Sequence, residues 1–332
     1  MRSRGIMVAL AAPGSLSPIE MGKISRLALA LDAQIELFHC ADAATAVDVA
    51  LQGATRAIRE QVSGRRQQLE GLAARLRVGG VQVRTSVRWD HPVYAGIVRQ
   101  ALRHKPRLLI AYPTARGRAS RLWLGRNDFR LIETCPCPVL FMKTRRPYTD
   151  TVVLAAVDPD HAHGKPAALD AEILGWASRL CGALAGKLLV FHAHLPWEQA
   201  MRSEPQFQRV PEVVRADVAA AWRGTLEAGV LEIAERYAVP RRRVHIAEGA
   251  VPETLARFAQ DIFPDIVVMG AARRSLLGRL LIGHTAERVL DALDSDVLVV
   301  KAPGFRSYVS PQSVHHRTAS GAVGLPGRGI LE

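Results

Sequence analysis

The sequence predicts an α/β protein of two tandem, doubly wound domains, each with a five-stranded parallel sheet. Three observations predict it. Short continuous apolar runs alternate with helical patterns, the whole pattern occurs twice, and a length of 332 residues suits two domains that each bury a core. Continuous rather than alternating apolar strands are typical of parallel sheets covered on both faces. Strand–helix alternation with right-handed crossovers then gives the doubly wound arrangement.

The repeat is visible without gaps when the chain is shifted by 158 residues. Residues 91–143 then align with 249–301, and twelve of these 53 positions are identical. The front of each unit aligns at a shorter offset, so the loops differ in length. We therefore predict a tandem duplication with a first unit at 1–147, a second unit at 148–303, and a mobile tail at 304–332.

Each unit contains five apolar runs of the length expected for buried strands, bounded by turn residues. In the first unit these runs lie near 5–11, 34–40, 81–86, 107–112 and 138–142. In the second unit they lie at 152–157, 188–193, 243–247, 265–269 and 296–300, with helical patterns between them at 166–183, 210–237, 251–261 and 284–293.

The N-terminus has a basic start and a short apolar stretch, which could imitate a secretory signal. A similar stretch recurs at 151–157, where a signal peptide cannot occur. We therefore predict a buried first strand and a cytoplasmic protein. No apolar run has the length of a membrane span, so we predict no membrane partner.

The net charge of +13 belongs to the first unit. Residues 1–150 hold 24 basic and 11 acidic side chains, whereas 151–332 hold 20 of each. Of the 44 basic residues 38 are Arg, which codon bias alone can produce. Alternatively, a basic patch around Trp123 could contact nucleic acid or an acidic partner. The low aromatic content of 5% and the lack of a nucleic-acid-binding motif disfavour specific nucleic-acid binding. The patch comprises Arg116, Arg118, Arg121, Arg126 and Arg130.

Four cysteines are too few for a disulfide scaffold and suit a reducing compartment. Two of them form the segment Cys135-Pro136-Cys137, which is not a CxxC pair. The proline between them fits a lead into the fifth strand. We interpret both as packed thiols.

In an open parallel sheet, ligands bind beyond the carboxyl ends of the strands, where the winding reverses. Three loops of the second unit follow strands, at 158–163, 192–194 and 270–285. The last carries glycines and three arginines and enters a helix, whose free N–H groups can bind phosphate. It matches neither the Walker loop nor the three-glycine dinucleotide motif. A basic, solvated connection is the alternative interpretation.

In the second unit, residues 265–270, 283–290 and 296–301 together resemble the C-terminal signature of the universal stress proteins. Residues 249–255 are similar to the run before that family's third helix. The resemblance covers both repeats, 1–303, and the layout resembles the family's tandem members. It implies a Rossmann-like fold of the adenine nucleotide alpha hydrolase-like type and a regulatory role in stress survival.

The resemblance also implies where a nucleotide would bind. ATP-binding members carry Gly-x2-Gly-x9-Gly-Ser/Thr after the fourth strand, and an Asp after the first strand that meets the adenosine. Asp158 matches that Asp, whereas Arg273 replaces the second glycine. A side chain there hinders close phosphate approach, although Arg could contact the phosphate directly. For ATP or ADP with Mg²⁺, the candidate binding residues are Asp158, Ala193, Gly270, Arg273, Gly283, His284 and Thr285.

The first unit departs further from this pattern. Ala11 stands at the position of the Asp, Tyr112 and Ala115 replace the first two glycines, and Arg126 follows the retained Gly125. We predict that this unit does not bind ATP in the family's manner. It would instead pair with the second unit, as the family's domains dimerise, and a homodimer is a further possibility.

Four histidines fall at the ends of two strands predicted to be neighbours, namely His161, His163, His192 and His194. Alternation along a strand places His192 and His194 on one face, so a zinc site is geometrically feasible. Ordinary loop or half-buried histidines are the interpretation that we favour. No catalytic set of nucleophile and base can be assembled. The leading hypothesis is a nucleotide-binding module, with a slow ATPase and a docking scaffold as alternatives.

Overall fold

The computed structural model describes residues 5–14, 16–42, 55–113, 115–116, 122–123, 125–159, 168–203, 210–271 and 284–311. Within them, strands and helices alternate through both repeats. The first half holds strands β1 Ile6–Ala9, β2 Ile35–Asp42, β3 Val83–Asp90, β4 Leu108–Ala111, β5 Ala115–Arg116, β6 Leu122–Trp123 and β7 Val139–Phe141. Its helices are α1 Pro18–Ala30, α2 Thr55–Val78, α3 Val93–His104 and α4 Arg126–Thr134.

The second half repeats this order with an additional short helix. Its strands are β8 Val152–Ala156, β9 Lys187–His194, β10 Val244–Glu248, β11 Ile266–Ala271 and β12 Asp296–Lys301. Its helices are α5 Ala168–Ala183, α6 Trp197–Ser203, α7 Arg215–Glu235, α8 Val251–Ile262 and α9 His284–Ala292, with 3-10 turns at Glu212–Val214 and Arg241–Arg243.

Ten of the strands form one sheet, in the order β10-β9-β8-β11-β12-β7-β4-β1-β2-β3. Within each half of this sheet all neighbouring strands are parallel, whereas β5 and β6 form a separate antiparallel pair. The halves meet where β7 and β12 pair antiparallel, with Leu140 opposite Leu298. The predicted tandem doubly wound α/β fold is thus confirmed, and the two five-stranded sheets are continuous.

Two apolar layers cover the sheet, one on each face, and both cross from one half to the other. Along β1, Ile6 and Val8 point into the layer that includes α1, α2, α5 and α7. Met7 and Ala9 point into the layer that includes α3, α4, α8 and α9. Strands buried on both faces need apolar residues at consecutive positions, which explains the continuous apolar runs.

Local sequence explains where several helices begin and end. Ser17 caps α1: its Oγ accepts from the Glu20 amide at 3.2 Å, and its own amide donates to Glu20 Oε2 at 2.7 Å. The residues directly after α3 and α8, Lys105 and Phe263, lie 158 positions apart in the sequence. Both adopt left-handed backbone conformations, with φ of 48° and 47°. Each is followed by a proline, which cannot continue a helix.

A buried polar cluster centred on Asp296 joins the halves. Lys23 of α1 forms an ion pair with Asp296 of β12, and neither side chain is exposed to solvent. Tyr148 donates its hydroxyl proton to Asp296 Oδ2 at 2.6 Å. The amides of Lys143 and Thr144 donate to Oδ1 at 2.8 and 2.9 Å. The Asp296 carboxylate therefore connects helix, linker and strand across the boundary between the repeats.

Two lysines at equivalent positions of the repeat cross the same boundary in opposite directions. Lys143 Nζ donates to the carbonyls of Leu290 and Leu293, at the end of α9. Lys301 Nζ donates to the carbonyl of Cys135, just beyond α4, at 2.5 Å. Cations are favourable at the carboxyl end of a helix. Each half thus stabilises a helix end of the other.

The chain continues past β12 onto the first half. Arg99 Nε of α3 donates to the Ser310 carbonyl at 3.1 Å, and Val309 packs against the layer that includes α3 and α4. The Lys301 ammonium lies 4.9 Å from the centre of the Phe305 ring. Residues 304–311, the described part of the predicted tail, therefore make specific contacts with the body of the protein.

The strand β1, Ile6–Ala9, lies within the apolar run predicted near 5–11 and is buried at every position, as predicted. None of the helices in the described ranges combines the length and apolar character that crossing a membrane requires.

Candidate nucleotide-binding site

The crevice of the second half lies where its strand order reverses. β8, the first strand of this half, has β9 on one side and β11 on the other. The connections leaving β8 and β11 therefore begin side by side at the carboxyl edge of the sheet. This is the position at which doubly wound proteins bind ligands. Asp158 follows β8, and Gly270 lies at the end of β11.

The backbone around Asp158 is held on both sides. The Asp158 amide donates to Oδ1 of Asp170, a buried residue in the first turn of α5, at 3.0 Å. The preceding carbonyl, that of Val157, accepts from Nδ1 of buried His192 at 3.1 Å. Because a carbonyl oxygen can only accept, this hydrogen bond requires that the His192 ring carries a proton on Nδ1. The Asp158 side chain is half-buried and begins from a fixed backbone.

Packing against α5, as well as the nucleotide-binding motif, explains why a glycine occupies position 270. A Cβ on Gly270 would lie 2.6 Å from Leu169 Cδ2 and 3.2 Å from Ile173 Cδ1, both on α5. Real side chains do not come that close, so a larger residue at this position would force the buried Leu169 to shift. The glycine by itself is therefore no evidence for phosphate binding.

The remaining predicted site residues are divided between the described and undescribed parts of the chain. Ala193 lies in β9 opposite Ala247, half-buried against the apolar layer. His284 and Thr285 open α9, as predicted, but their side chains lie outside the described residues. Arg273 and Gly283 also lie outside them.

Comparisons with known proteins agree with this architecture. The model of the universal stress protein family matches twice, at residues 4–143 and 151–301. The chain belongs to the universal stress protein family.

Among curated relatives, universal stress protein E of Photorhabdus laumondii is 23% identical over 68% of this chain and 71% of its own length. The Escherichia coli K12 protein of the same name is 22% identical over 69% of this chain and 72% of its own. A solved structure described as a universal stress protein of Pseudomonas aeruginosa UCBPP-PA14 has a TM-score of 0.68 and 26% identity, covering 91% of this chain and 94% of its own.

The first half of this universal stress protein has a different crevice. Ala11 follows β1 where Asp158 follows β8, and Tyr112 follows β4 where Gly270 ends β11. The half-buried Tyr112 lies with its hydroxyl 3.5 Å from Met142 Sδ. Burial, reinforced by Glu20 and Asp296, raises the pKa of Tyr112 well above its usual value. Tyr112 therefore places an aromatic ring at the position where Gly270 of the second half has no side chain.

Gly125 of the first half directly precedes α4. Its amide donates to Oδ2 of Asp128 at 2.8 Å, which caps the helix. Ala115 lies in the two-residue strand β5, paired with β6. The side chain of Arg126 lies outside the described residues.

Two of the four predicted histidines, His192 and His194, lie in the part of the chain that the structure describes, where they belong to no cluster of metal ligands. The rings of His192 and His194 share a face with centroids 6.1 Å apart, as strand alternation predicts. However, His192 Nδ1 donates to Val157, and His194 Nδ1 to the Leu195 carbonyl at 3.0 Å. No group of three or more potential ligands occurs among the described residues, and His161 and His163 lie outside them.

Most of the predicted basic patch lies outside the described residues. Arg130 forms an ion pair with Glu133 at 2.9 Å, so its charge is partly compensated. The side chains of Arg116, Trp123 and Arg126, and the whole of Arg118 and Arg121, lie outside the described residues.

Sequence reasoning missed the residues that orient the Asp158 loop. Nothing in the pattern singled out Asp170, because one acidic residue in a first helical turn is common. The sequence repeat, however, did contain an indication of the role of His192. Phe38-His39 matches Phe191-His192, and His39 Nδ1 likewise donates to the Leu10 carbonyl, at 2.8 Å. A histidine repeated at this position is a strand-end anchor in both halves.

Proposed function

We propose that this protein is a stress-response binding protein whose second half holds an adenine nucleotide, ATP or ADP with Mg²⁺. The observation that carries the proposal is the pre-organised backbone of Asp158 at the reversal of the strand order. The Asp170 carboxylate and the His192 ring fix that backbone at hydrogen-bond distances of 3.0 and 3.1 Å. A site whose backbone is already ordered loses less conformational freedom on binding.

Within this proposal Asp158 binds the adenosine part, and the connection after β11 binds the phosphates. That connection follows Gly270 and Ala271 at the end of β11 and leads to α9 at His284. The amino end of a helix offers unpaired N–H groups and a positive dipole to phosphate oxygens. Arg273 would add a charged donor in the same connection. Mg²⁺ would neutralise part of the charge of the phosphates.

The first half supports the proposal by contrast. Tyr112 and Ala11 stand where the second half offers Gly270 and Asp158. We propose that the first half binds no nucleotide and pairs with the second. Family membership and four free cysteines support a place in the cytoplasm.

Calorimetric titration with ATP and Mg²⁺ tests the nucleotide proposal. We expect heat from the unmodified protein and at least tenfold weaker binding for Asp158→Ala. Asp261→Ala is the matched control, because Asp261 is exposed near the end of α8 and therefore lies toward the amino edge of the sheet. It removes the same charge and should leave the affinity unchanged. No heat from the unmodified protein would refute the proposal.

Two alternatives predict other outcomes. A slow ATPase would release phosphate during the titration. A scaffold that docks through the basic first half would bind nucleic acid or an acidic partner without nucleotide. Such binding should weaken steeply as salt rises, since it depends on counterion release. If retention on a nucleic-acid column did not change with salt concentration, the result would count against the scaffold.

A further inference from the structure

Two buried thiols lie in contact at the boundary between the halves. Cys135 is the first residue after α4, and Cys137 leads into β7. Their Sγ atoms are 3.5 Å apart. Pro136 between them has a fixed φ, so the segment has little freedom to separate the two thiols. A disulfide needs a distance of about 2.05 Å, so side-chain rotation would have to close a gap of about 1.5 Å.

A buried lysine from the other half completes the cluster. Lys301 Nζ donates to the Cys135 carbonyl at 2.5 Å, and the residue is only 9% exposed. Burial lowers the pKa of Lys301, and Cys135 and Cys137 act in the opposite direction. The charges of the amine and the thiols therefore depend on one another. A positive charge beside a thiol stabilises the thiolate, which is the reactive form.

The other half provides a natural comparison. Lys143 occupies the equivalent position and donates to the Leu290 and Leu293 carbonyls. There, however, Leu293 and Ser295 stand where Cys135 and Cys137 stand in the first half. Both lysines therefore stabilise a helix end, but only Lys301 also lies beside two thiols. The thiols are not needed for the interface, because the equivalent contact is made without them.

We propose that Cys135 and Cys137 form a redox-active dithiol site that reacts with small hydroperoxides. We assign the first step to Cys137, because that residue is 8% exposed whereas Cys135 is fully buried. The hydrogen bond to Cys135 and burial raise the pKa of the Cys137 thiol, so its proton must be lost during the attack. The Cys137 sulfur attacks the terminal peroxide oxygen and the O–O bond breaks. Cys137 becomes a sulfenic acid, and its thiol proton leaves with the released alcohol or water.

The second step closes the disulfide. The Cys135 sulfur attacks the Cys137 sulfur, an S–S bond forms, and the S–OH bond breaks. The hydroxide takes the Cys135 proton and leaves as water. Over both steps two thiols are oxidised to one disulfide, and one hydroperoxide is reduced to an alcohol, or to water if it is hydrogen peroxide. The positive charge of Lys301 favours the thiolate of either cysteine and so assists both attacks.

Peptide mass spectrometry after timed exposure to hydrogen peroxide and alkylation tests this site. Cleavage after Arg130 and Lys143 yields one peptide containing both cysteines. The disulfide form of this peptide is two hydrogen atoms lighter than the reduced peptide. We expect it to accumulate at least tenfold faster than Cys40 or Cys181 is oxidised. Cys40 is a suitable reference because it is buried to a similar degree, at 6% exposure, and the charges beside it include two carboxylates, Asp90 and Asp42. Oxidation of the pair no faster than that of Cys181 would overturn the proposal.

Three variants test the assigned steps. Lys301→Met should slow disulfide formation at least tenfold, whereas Lys143→Met, the matched control, should leave the rate unchanged. Equal slowing in both variants would show that the interface alone matters, and would overturn the role of Lys301. In Cys135→Ser the sulfenic acid on Cys137 cannot be resolved and should be trapped by dimedone. A protein without that adduct would contradict the attack by Cys137.

Discussion

The ion pair between Lys23 and Asp296 gives the sharpest stability prediction. Replacing Lys23 by Met leaves a fully buried carboxylate without its cation, since both side chains have no solvent exposure. Removing one partner of a buried pair costs about 3–5 kcal/mol. Asp296 keeps its bonds from Tyr148 and from the amides of Lys143 and Thr144. We therefore expect a loss at the lower end, about 3 kcal/mol.

Urea denaturation followed by circular dichroism measures this loss. With a slope of about 3 kcal/mol per molar urea, the midpoint should fall by about 1 M. In a double-mutant cycle, combining Lys23→Met with Asp296→Asn should cost at least about 1 kcal/mol less than the two single losses together. A loss below about 1 kcal/mol for Lys23→Met, or no coupling, would refute the reasoning.

An exposed ion pair provides the control for that experiment. Arg77 and Glu70 are 3.1 Å apart, with side chains 43% and 47% exposed. Exposed pairs contribute at most about 1 kcal/mol, so Arg77→Met should shift the midpoint by much less than Lys23→Met. A similar shift in both would show that burial does not determine the magnitude.

Three further predictions concern other parts of the molecule. Gly270→Ala should lower the free energy of unfolding by about 1–3 kcal/mol, measured without nucleotide, because its Cβ would lie 2.6 Å from Leu169. Burial, with a smaller contribution from Arg65, lowers the pKa of His39 from 6.5, so the folded state resists its protonation. The free energy of unfolding should therefore fall as the pH drops through 6.5 toward that lower pKa. In His39→Gln the urea midpoint should depend less on pH between about pH 7.5 and 5.5. Removing residues 304–332 should lower the thermal midpoint more than removing 312–332, because only the first deletion breaks the contact between Ser310 and Arg99; equal midpoints would contradict this.

Much of the fold could be predicted from the sequence, because buried parallel strands need continuous apolar runs. The runs at 152–157 and 265–269 overlap the observed β8 and β11 closely. The pairing of β7 with β12 could not be predicted in the same way. Apolar pattern shows that a strand is buried, but it carries no signal for which strand lies beside it.

The candidate site was predictable in position but less so in mechanism. The strand-end rule placed Asp158 and Gly270 at the same edge, and the structure has both there. It could not show that Asp170 and His192 hold the Asp158 loop, because those contacts join residues 12 and 35 positions apart. Nor could the motif distinguish a glycine needed by a ligand from one needed by Leu169.

The shared sheet also changes what evolution can do with the two copies. In a dimer of identical chains, every substitution at the contact occurs twice and must suit both sides. Here the copies are joined, so each position can change alone. Aligning Ser25-Arg26-Leu27 with Ser178-Arg179-Leu180 places Trp176 opposite Lys23, and the 158-residue shift places Pro138 opposite Asp296. The central ion pair thus has no mirror image, an asymmetry that a contact between two identical chains related by a twofold axis could not have.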